Sequence, residues 1–558
     1  MRIKKHVLPF VTVLVLTAFV AAFNYLWLVI NQKPPVDDEA IHLISVLKYL
    51  DILKHPSVDM VDRLLHVDIL YPPLFPFSAA LIATLLGQKN IIIFCMTNVL
   101  FLALTFLCMY FIGYKTGKIW SGVLAVCFLM IYPMFFLLSR MFMIEVPLLS
   151  MVTLCITFLM YSRNFTNRGM CVAAGVAFGL GLLTKQTFLV FMIGPIMFLF
   201  MEDLEAFKTQ WKKRIFNLGI LIALGACIAL PWYVINFKIK ISGALNSITN
   251  PGLVSLSFPL LSFQSLGYYI SMFAMEQAMA FLFIIFVAAL WLLRNHLCAN
   301  GLFIVWIVAG YFVLTLFPNK FCYYTLPYLP AVAWLTAEGF MRVKLTSLRV
   351  VVLALVLFFG VYQFVSFSFF SPGKLSPVAQ GVSYSPRLDD MMSTEMVDQI
   401  IAETREKSIT IGMFHLDGNE AFSRNIIIGE SGILLNKHML QYSFDLRGIL
   451  CEIIDIRSMV RRHDGGFPEF LICPSSLEAI VGPALPKEQY RLIDVFEQAD
   501  LSKVYLYRFD VESLSATRVN FHKNDLSAVR LPHLYMREIF RRLMYQMSFF
   551  HGIFPRTI

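Results

Sequence analysis

Residues 7–40 read VLPFVTVLVLTAFVAAFNYLWLVINQKPPVDDEA, and this stretch decides the fold class. Residues 7–30 form an almost unbroken apolar run, longer than the ~20 residues a helix needs to cross a bilayer. The run follows Arg2, Lys4 and Lys5 and is followed by Val36-Asp37-Asp38-Glu39-Ala40, with three carboxylates at the water boundary. It is long for the apolar region of a cleavable signal peptide, so it reads as a first span.

Comparable apolar blocks recur at 91–112, 118–138, 143–161, 170–184, 186–201, 215–233, 266–293, 301–317, 323–341 and 349–370. Across 558 residues, 58% are hydrophobic and only 15% charged, against about 25% charged in soluble proteins. A soluble enzyme, a disordered chain and a disulfide-stapled secreted module are thereby excluded. Eight of the ten cysteines precede residue 323, mostly inside apolar blocks, and leave the redox compartment undefined. The net charge of +10 is uneven: residues 1–370 carry 25 basic and 13 acidic residues, whereas 371–558 carry 21 and 23. The excess is a membrane-topology signal and gives no reason to expect a nucleic-acid partner.

Basic clusters lie at Arg2/Lys4/Lys5, Lys115/Lys118, Arg163/Arg168, Lys208/Lys212/Lys213/Arg214, Arg294 and Arg342/Lys344/Arg349. The apolar stretch 71–87 opens with Tyr71-Pro72-Pro73-Leu74. Read as an interfacial or re-entrant helix, it leaves eleven spans and puts every cluster in the cytoplasm; read as a span, it inverts all later ones. The eleven-span parity therefore places 31–90, 139–145, the surroundings of Lys185, 234–265, 318–322 and everything after 371 on the outer face.

The expected architecture is a polytopic α-helical membrane protein of about 11–13 spans with a C-terminal soluble α/β domain. Residues 1–370 form the transmembrane domain with an outer-face loop at 31–90, and 371–390 a linker. Residues 391–510 form the outer-face α/β domain. Strands are expected at 408–414, 469–473, 490–496 and 503–509, and helices at 396–407 and 451–462. Residues 511–558 form a basic amphipathic tail, lying on the membrane or packed on the α/β domain. Gly175-Val-Ala-Phe-Gly179-Leu-Gly181 reads as a small-residue helix-packing face.

Acids are scarce before residue 370, and their positions stand out. Asp37, Asp38 and Glu39 form either a solvated turn or a general base whose basicity is raised beside a low-dielectric wall. Arg140 and Glu145, in Ser139-Arg140-Met-Phe-Met-Ile-Glu145-Val-Pro147, either pair with each other or serve a site. Lys185 and Lys320, the latter in Asn319-Lys320-Phe321-Cys322-Tyr323-Tyr324, either snorkel to lipid headgroups or face an anion. Cations and acids on one face suit transfer from a lipid-linked phosphate: a cation stabilises the departing phosphate while a carboxylate takes the acceptor's proton. Glu276, within an apolar span, lines a pathway or bonds a neighbouring helix, and His42, His55 and His66 lack metal-ligand spacing.

Taken in order, several motifs resemble the GT-C class of membrane glycosyltransferases, in the branch of protein O-mannosyltransferases and bacterial aminoarabinose transferases of lipid A (glycosyltransferase family 39). They are Asp38-Glu39 after the first span, Pro72-Pro73-Leu74, Arg140…Glu145-Val-Pro147, Leu183-Thr184-Lys185 and Lys320…Tyr323-Tyr324…Leu326-Pro327…Pro330. Together they cover about residues 1–345. The resemblance implies inverting sugar transfer from a polyprenyl-phosphate donor to a lipid, glycan or protein acceptor, on the periplasmic side of a bacterial inner membrane. It makes Asp38 the catalytic base and Glu145 a second site acid, and it places Lys185, Lys320 and Arg140 at the donor phosphate. Asp37, Glu39, Tyr323 and Tyr324 are further candidates. Two positions depart from the family: Glu145 stands where Asp is usual, and Tyr71 where the aminoarabinose branch has Lys. No cofactor is required by the sequence, and a divalent metal is left open. The competing expectations are a transporter or flippase of a lipid-linked substrate and a non-catalytic envelope scaffold.

Overall fold

The structure, a computed structural model, describes residues 4–31, 35, 37–202, 204–249, 256–259, 261–317, 319–369 and 393–403. Beyond these it describes strands at 408–413, 425–428, 433–436, 450–455, 470–474, 490–497 and 503–509. The expected linker and the basic tail lie outside the described residues, as do the side chains of Asp37 and Glu276.

Helices follow the apolar blocks. They are α1 (Lys4–Ile30), α2 (Asp37–Lys54), α3 (Met60–His66), α4 (Leu74–Leu86), α5 (Ile91–Met96), α6 (Asn98–Lys115), α7 (Ile119–Ile131), α8 (Pro133–Leu138) and α9 (Glu145–Tyr161). Next come α10 (Arg168–Leu182), α11 (Phe188–Met201), α12 (Leu204–Ile235), α13 (Phe237–Thr249), α14 (Phe263–Met272) and α15 (Met279–Leu293). The helical part ends with α16 (Gly301–Leu316), a 3-10 stretch at Cys322–Tyr328, α17 (Leu329–Phe340) and α18 (Thr346–Phe369).

By length and apolarity, five of the described segments cross a membrane: His6–Ile30, Ile91–Lys115, Lys208–Ile235, Cys298–Leu316 and Thr346–Phe369. A sixth forms if Phe263–Met275 and Ala280–His296, bent by 107°, count as one broken span. Helices α7, α9, α10 and α11 are apolar but shorter. The block 118–138 is cut because Pro133 cannot donate into the preceding helix and instead opens α8.

Close helix packing follows the small residues. A Cβ on Gly175 would lie 2.9 Å from the Leu221 carbonyl, and one on Gly179 would lie 2.7 Å from Ile228 Cβ. The glycine face of α10 thus lets α12 approach at backbone distance, as the sequence suggests. At the end of α4, Gly87 adopts φ +65° and closes the helix through N–H bonds to Ala83 and Thr84.

The segment expected as an outer loop is mostly helical. Helix α2 packs on α4, and the Leu74 N–H donates to the Leu183 carbonyl (2.9 Å), which docks the start of α4 on the turn after α10.

After α18 come α19 (Ser393–Glu403) and a five-stranded sheet. Its strands are β3 (Ser408–Met413), β6 (Leu450–Asp455), β7 (Phe470–Pro474), β8 (Tyr490–Glu497) and β9 (Lys503–Phe509), in the order β6-β3-β7-β9-β8. Strand β3 runs parallel to β6 and β7, while β9 is antiparallel to β7 and β8. Strands β4 (Asn425–Ile428) and β5 (Ile433–Asn436) pair separately, and β1 (Leu256–Ser257) pairs with β2 (Asn319–Lys320). The four expected strands are present. The expected helix at 451–462 is overturned where it is described, because Leu450–Asp455 pairs in parallel register along the whole of β3. Edge-strand pairing outweighs the helix-compatible spacing of its charges.

Candidate functional site

Helix α2 presents Asp38, His42, Ser45 and Tyr49 at intervals of four, three and four residues, which puts them on one face. That face meets the loop leading into α4. The Tyr71 hydroxyl donates to Asp38 Oδ1 at 3.0 Å, and the His42 and Tyr71 rings meet edge-on with centroids 4.4 Å apart. Ser45 donates to Asp68 Oδ2 at 2.8 Å, while the Leu70 and Tyr71 N–H groups donate to Asp68 Oδ1 at 2.8 and 2.9 Å. Asp68 therefore fixes the turn that delivers Tyr71. Burial and the Asp38 carboxylate hold the Tyr71 phenol well above its ordinary value, which keeps it a proton donor to Asp38.

Glu145 enters from a second direction, as the first residue of α9, where the helix dipole favours an anion. Its Oε1 accepts from Lys185 Nζ at 2.8 Å, with the two side chains 3% and 12% exposed. Its Oε2 is buried without a hydrogen-bond partner. Of the two readings left open for Arg140 and Glu145, mutual pairing is not what the structure has: the carboxylate's cation is Lys185, from the turn after α10.

The Lys185 ammonium also lies over the rings of Tyr324 (5.0 Å) and Tyr323 (5.8 Å), which the 3-10 stretch supplies. Burial disfavours its charge, but Glu145 and Tyr324 outweigh that, and the net shift of Lys185 is upward. Electrostatically, Tyr323 feels Glu145, Asp38, Tyr324 and Tyr71, so these groups form one cluster.

The remaining candidates are placed as follows. Glu39 accepts from the Phe142 N–H at 2.8 Å, tying the start of α2 to the loop before α9. Lys320 is 2% exposed, and its Nζ donates to the Leu314 and Thr315 carbonyls (3.0 and 2.8 Å) over the Tyr269 ring (5.3 Å). It sits on the negative end of α16, and burial pushes it down to about 8. Arg140, 1% exposed, donates to the Phe136 carbonyl (3.2 Å) and Ser368 Oγ (2.8 Å) beside the Trp27 ring (5.0 Å). It stands between α1, α8 and α18. Among the described residues no group of three or more His, Cys, Asp or Glu is arranged to hold a metal ion.

Sequence reasoning overlooked Tyr71, His42 and Asp68 as site-building residues. The signal for His42 was available: its spacing from Asp38 is one helical turn, but α2 was read as a loop. Asp38, Tyr71, Glu145, Lys185, Tyr323 and Tyr324 meet in this cluster. The parity count expected 31–90, 139–145 and the surroundings of Lys185 on one face, but took Tyr323 and Tyr324 as the start of a span.

The helical fold is similar to those of the solved proteins ArnT and AglB. Within it, residues 71–233 match the family model of dolichyl-phosphate-mannose-protein mannosyltransferase. ArnT from Cupriavidus metallidurans in the apo state is similar over 90% of this chain and 99% of that one, with TM-score 0.58 and 14% identity. The same protein bound to undecaprenyl phosphate gives TM-score 0.57 and 13% identity over 90% of this chain and 99% of that one. The archaeal oligosaccharyltransferase AglB from Archaeoglobus fulgidus, in complex with an inhibitory peptide and a dolichol-phosphate, gives TM-score 0.54 and 10% identity over 88% and 74%. No curated protein matches the chain in sequence.

Proposed function

We propose that the protein is an inverting glycosyltransferase that moves a sugar from a polyprenyl-phosphate donor to a lipid, glycan or protein acceptor on the outer face of a bacterial inner membrane. The observation that carries the reading is the meeting of Asp38, held by the Tyr71 hydroxyl, with the Lys185–Glu145 pair and the Tyr323–Tyr324 rings. A base and a cation in one cluster are the two groups this reaction needs on opposite sides of the anomeric carbon. The likeness in fold to a protein bound to undecaprenyl phosphate supports the donor class.

In this mechanism Asp38 takes the acceptor's proton as the new bond to the anomeric carbon forms. The bond to the phosphate oxygen breaks on the other side, and its electron pair stays with the phosphate. Lys185 uses the donors not engaged by Glu145 to stabilise the charge on the leaving phosphate. Glu145 holds Lys185 in place, and its second oxygen is available to a ligand hydroxyl. Lys320 and Arg140, expected at the donor phosphate, are already engaged by the Leu314 and Thr315 carbonyls and by the Phe136 carbonyl and Ser368, so in this mechanism they hold the end of α16 and the loop before α9 in place.

Transport of a lipid-linked substrate is the competing reading, and turnover separates the two. Purified protein in detergent is given a panel of radiolabelled polyprenyl-phosphate sugars, and free polyprenyl phosphate is measured with the Asp38→Asn variant as control. Sugar-dependent release that disappears in the variant supports the transferase. Donor binding without release, unchanged in the variant, overturns it.

A further inference from the structure

His42 is the buried titratable group of the cluster for which the mechanism above has no use. It stands one turn beyond Asp38 on α2, is 1% exposed, and its Nδ1 has no hydrogen-bond partner. Its ring packs edge-on against Tyr71, the residue that holds Asp38. The charged groups facing it come from four directions: Asp38 on its own helix, Asp68 ahead of α4, Glu145 at the start of α9, and Lys185 after α10. Burial outweighs the three carboxylates and holds the imidazole below its ordinary value, so the ring is neutral in the empty site near pH 7.

The balance of charge makes this neutrality conditional. Three carboxylates and one ammonium already give the empty cluster a negative sign. A phosphodiester lipid adds another negative charge in a region where surrounding apolar side chains weaken screening. The neutral group with a vacant position beside all of these charges is the His42 ring. We propose that His42 is a donor-binding residue that takes up one proton from solvent, on Nδ1, when an anionic phosphodiester lipid enters beside Lys185. The one bond formed is N–H on Nδ1, and the proton's bond to water or buffer acid is the one broken: a neutral imidazole becomes an imidazolium that feels Asp38, Glu145 and Asp68. The proposal rests on the donor class inferred above and adds to it the charge state in which that donor is held.

The sign follows from linkage. A group whose proton affinity is low in the free site and higher in the complex binds a proton on association, so affinity is greatest at acid pH. Affinity then falls as pH rises through the two values, by up to about tenfold per pH unit for one proton. Polyprenyl phosphate itself titrates near neutrality and would obscure this, so the probe is the methyl ester of undecaprenyl phosphate, a phosphodiester without a sugar.

With the full chain in detergent, the Kd of this lipid is measured from about pH 6 to pH 8, and calorimetry in two buffers of different ionisation heat counts the protons taken up. The expected result is proton uptake near neutral pH and a Kd that weakens about tenfold or more across the range. In His42→Gln and His42→Phe the pH dependence should shrink to less than about twofold. Calorimetry on the unmodified protein needs no variant to fold, and proton-independent binding there overturns the proposal. So does a pH dependence that persists in either variant. If the lipid fails to bind at any pH, the donor reading itself fails; if it binds without proton uptake, only the role of His42 does.

Discussion

Among the described residues, two lysine–glutamate pairs join distant parts of this chain, and only one of them sits in a site. Lys185 bonds Glu145 between the turn after α10 and the start of α9; Lys118 bonds Glu338 between the start of α7 and the body of α17. In both the glutamate side chain is 3% exposed. The surroundings differ. The Lys185 ammonium lies under two tyrosine rings, and Glu145 keeps one oxygen without a partner while acting on His42, Tyr71 and Tyr323. Lys118 is 38% exposed at the basic end of the helices. A buried ion pair is weak evidence of stability and no evidence of function by itself. What marks Lys185–Glu145 is the unspent bonding capacity around it.

The strongest way to sharpen that contrast is to remove the base beside the first pair. Asp38→Asn preserves size and still accepts the Tyr71 hydrogen bond, but it cannot take a proton. Turnover in the polyprenyl-phosphate release assay should fall about a thousandfold, within the range expected for loss of a general base, with thermal melting unchanged. Full activity would leave the cluster without a reaction.

Next in size is Lys185→Met. It leaves Glu145 buried without a cation, at a cost of about 3–5 kcal/mol to stability. Donor binding should weaken about a hundredfold as well, since a charge-assisted bond to phosphate is lost. The double variant Lys185→Met/Glu145→Gln separates the two effects: it should recover most of the melting temperature and none of the affinity. Recovery of both would show that Lys185 acts only by neutralising Glu145.

How much of this was legible in sequence depends on the distance between partners. The apolar blocks announced the helices because hydropathy is local, and Gly175 and Gly179 announced a packing face on α10 for the same reason, though not that α12 would fill it. Lys185 stood out as a cation between two apolar segments, but its partner lies 40 residues away, and nothing local makes Glu145 take Lys185 over the nearby Arg140. Arg140 is bonded to Ser368, 228 residues on, a contact that only the packing of α18 creates. Helix α2 was missed because DDEAIHLISVLKYLDILK mixes charge and apolarity without one clear stripe. The helix is buried nearly all round, with Leu43, Val46 and Leu50 as well as His42, Ser45 and Tyr49 inside, so its polar face Asp38-His42-Ser45-Tyr49 looks like a solvated surface until the loop carrying Asp68 and Tyr71 is laid against it. Strand β6 failed for a related reason, as its neighbour β3 lies earlier in the chain with the β4–β5 pair in between.

A smaller effect belongs to Tyr71→Phe. The ring and its packing against His42 remain, and the hydrogen bond to Asp38 is removed. A bond to a charged group is worth about 1.5–3 kcal/mol, so the change should lower kcat by about tenfold or somewhat more while KM for the donor lipid stays within about twofold. A rise in KM with kcat preserved would move Tyr71 from orienting the base to binding the lipid.

The smallest expected effect tests the contrast from the other side. Lys118→Met removes the cation from the second pair. Because Lys118 is partly exposed, water can reach the Glu338 carboxylate in its place, so the cost should be about 1 kcal/mol, close to that of a surface pair. Donor affinity and turnover should not change, since the residues that meet Asp38 and Lys185 come from the loop ahead of α4, the start of α9 and the stretch after α16, not from α7. Thermal melting and the release assay on the same preparation check both halves. If turnover fell while the protein stayed folded, α17 would have to carry the disturbance from Glu338 to the tyrosines of the adjoining 3-10 stretch. The two pairs would then be ends of one device, not a site and a tie.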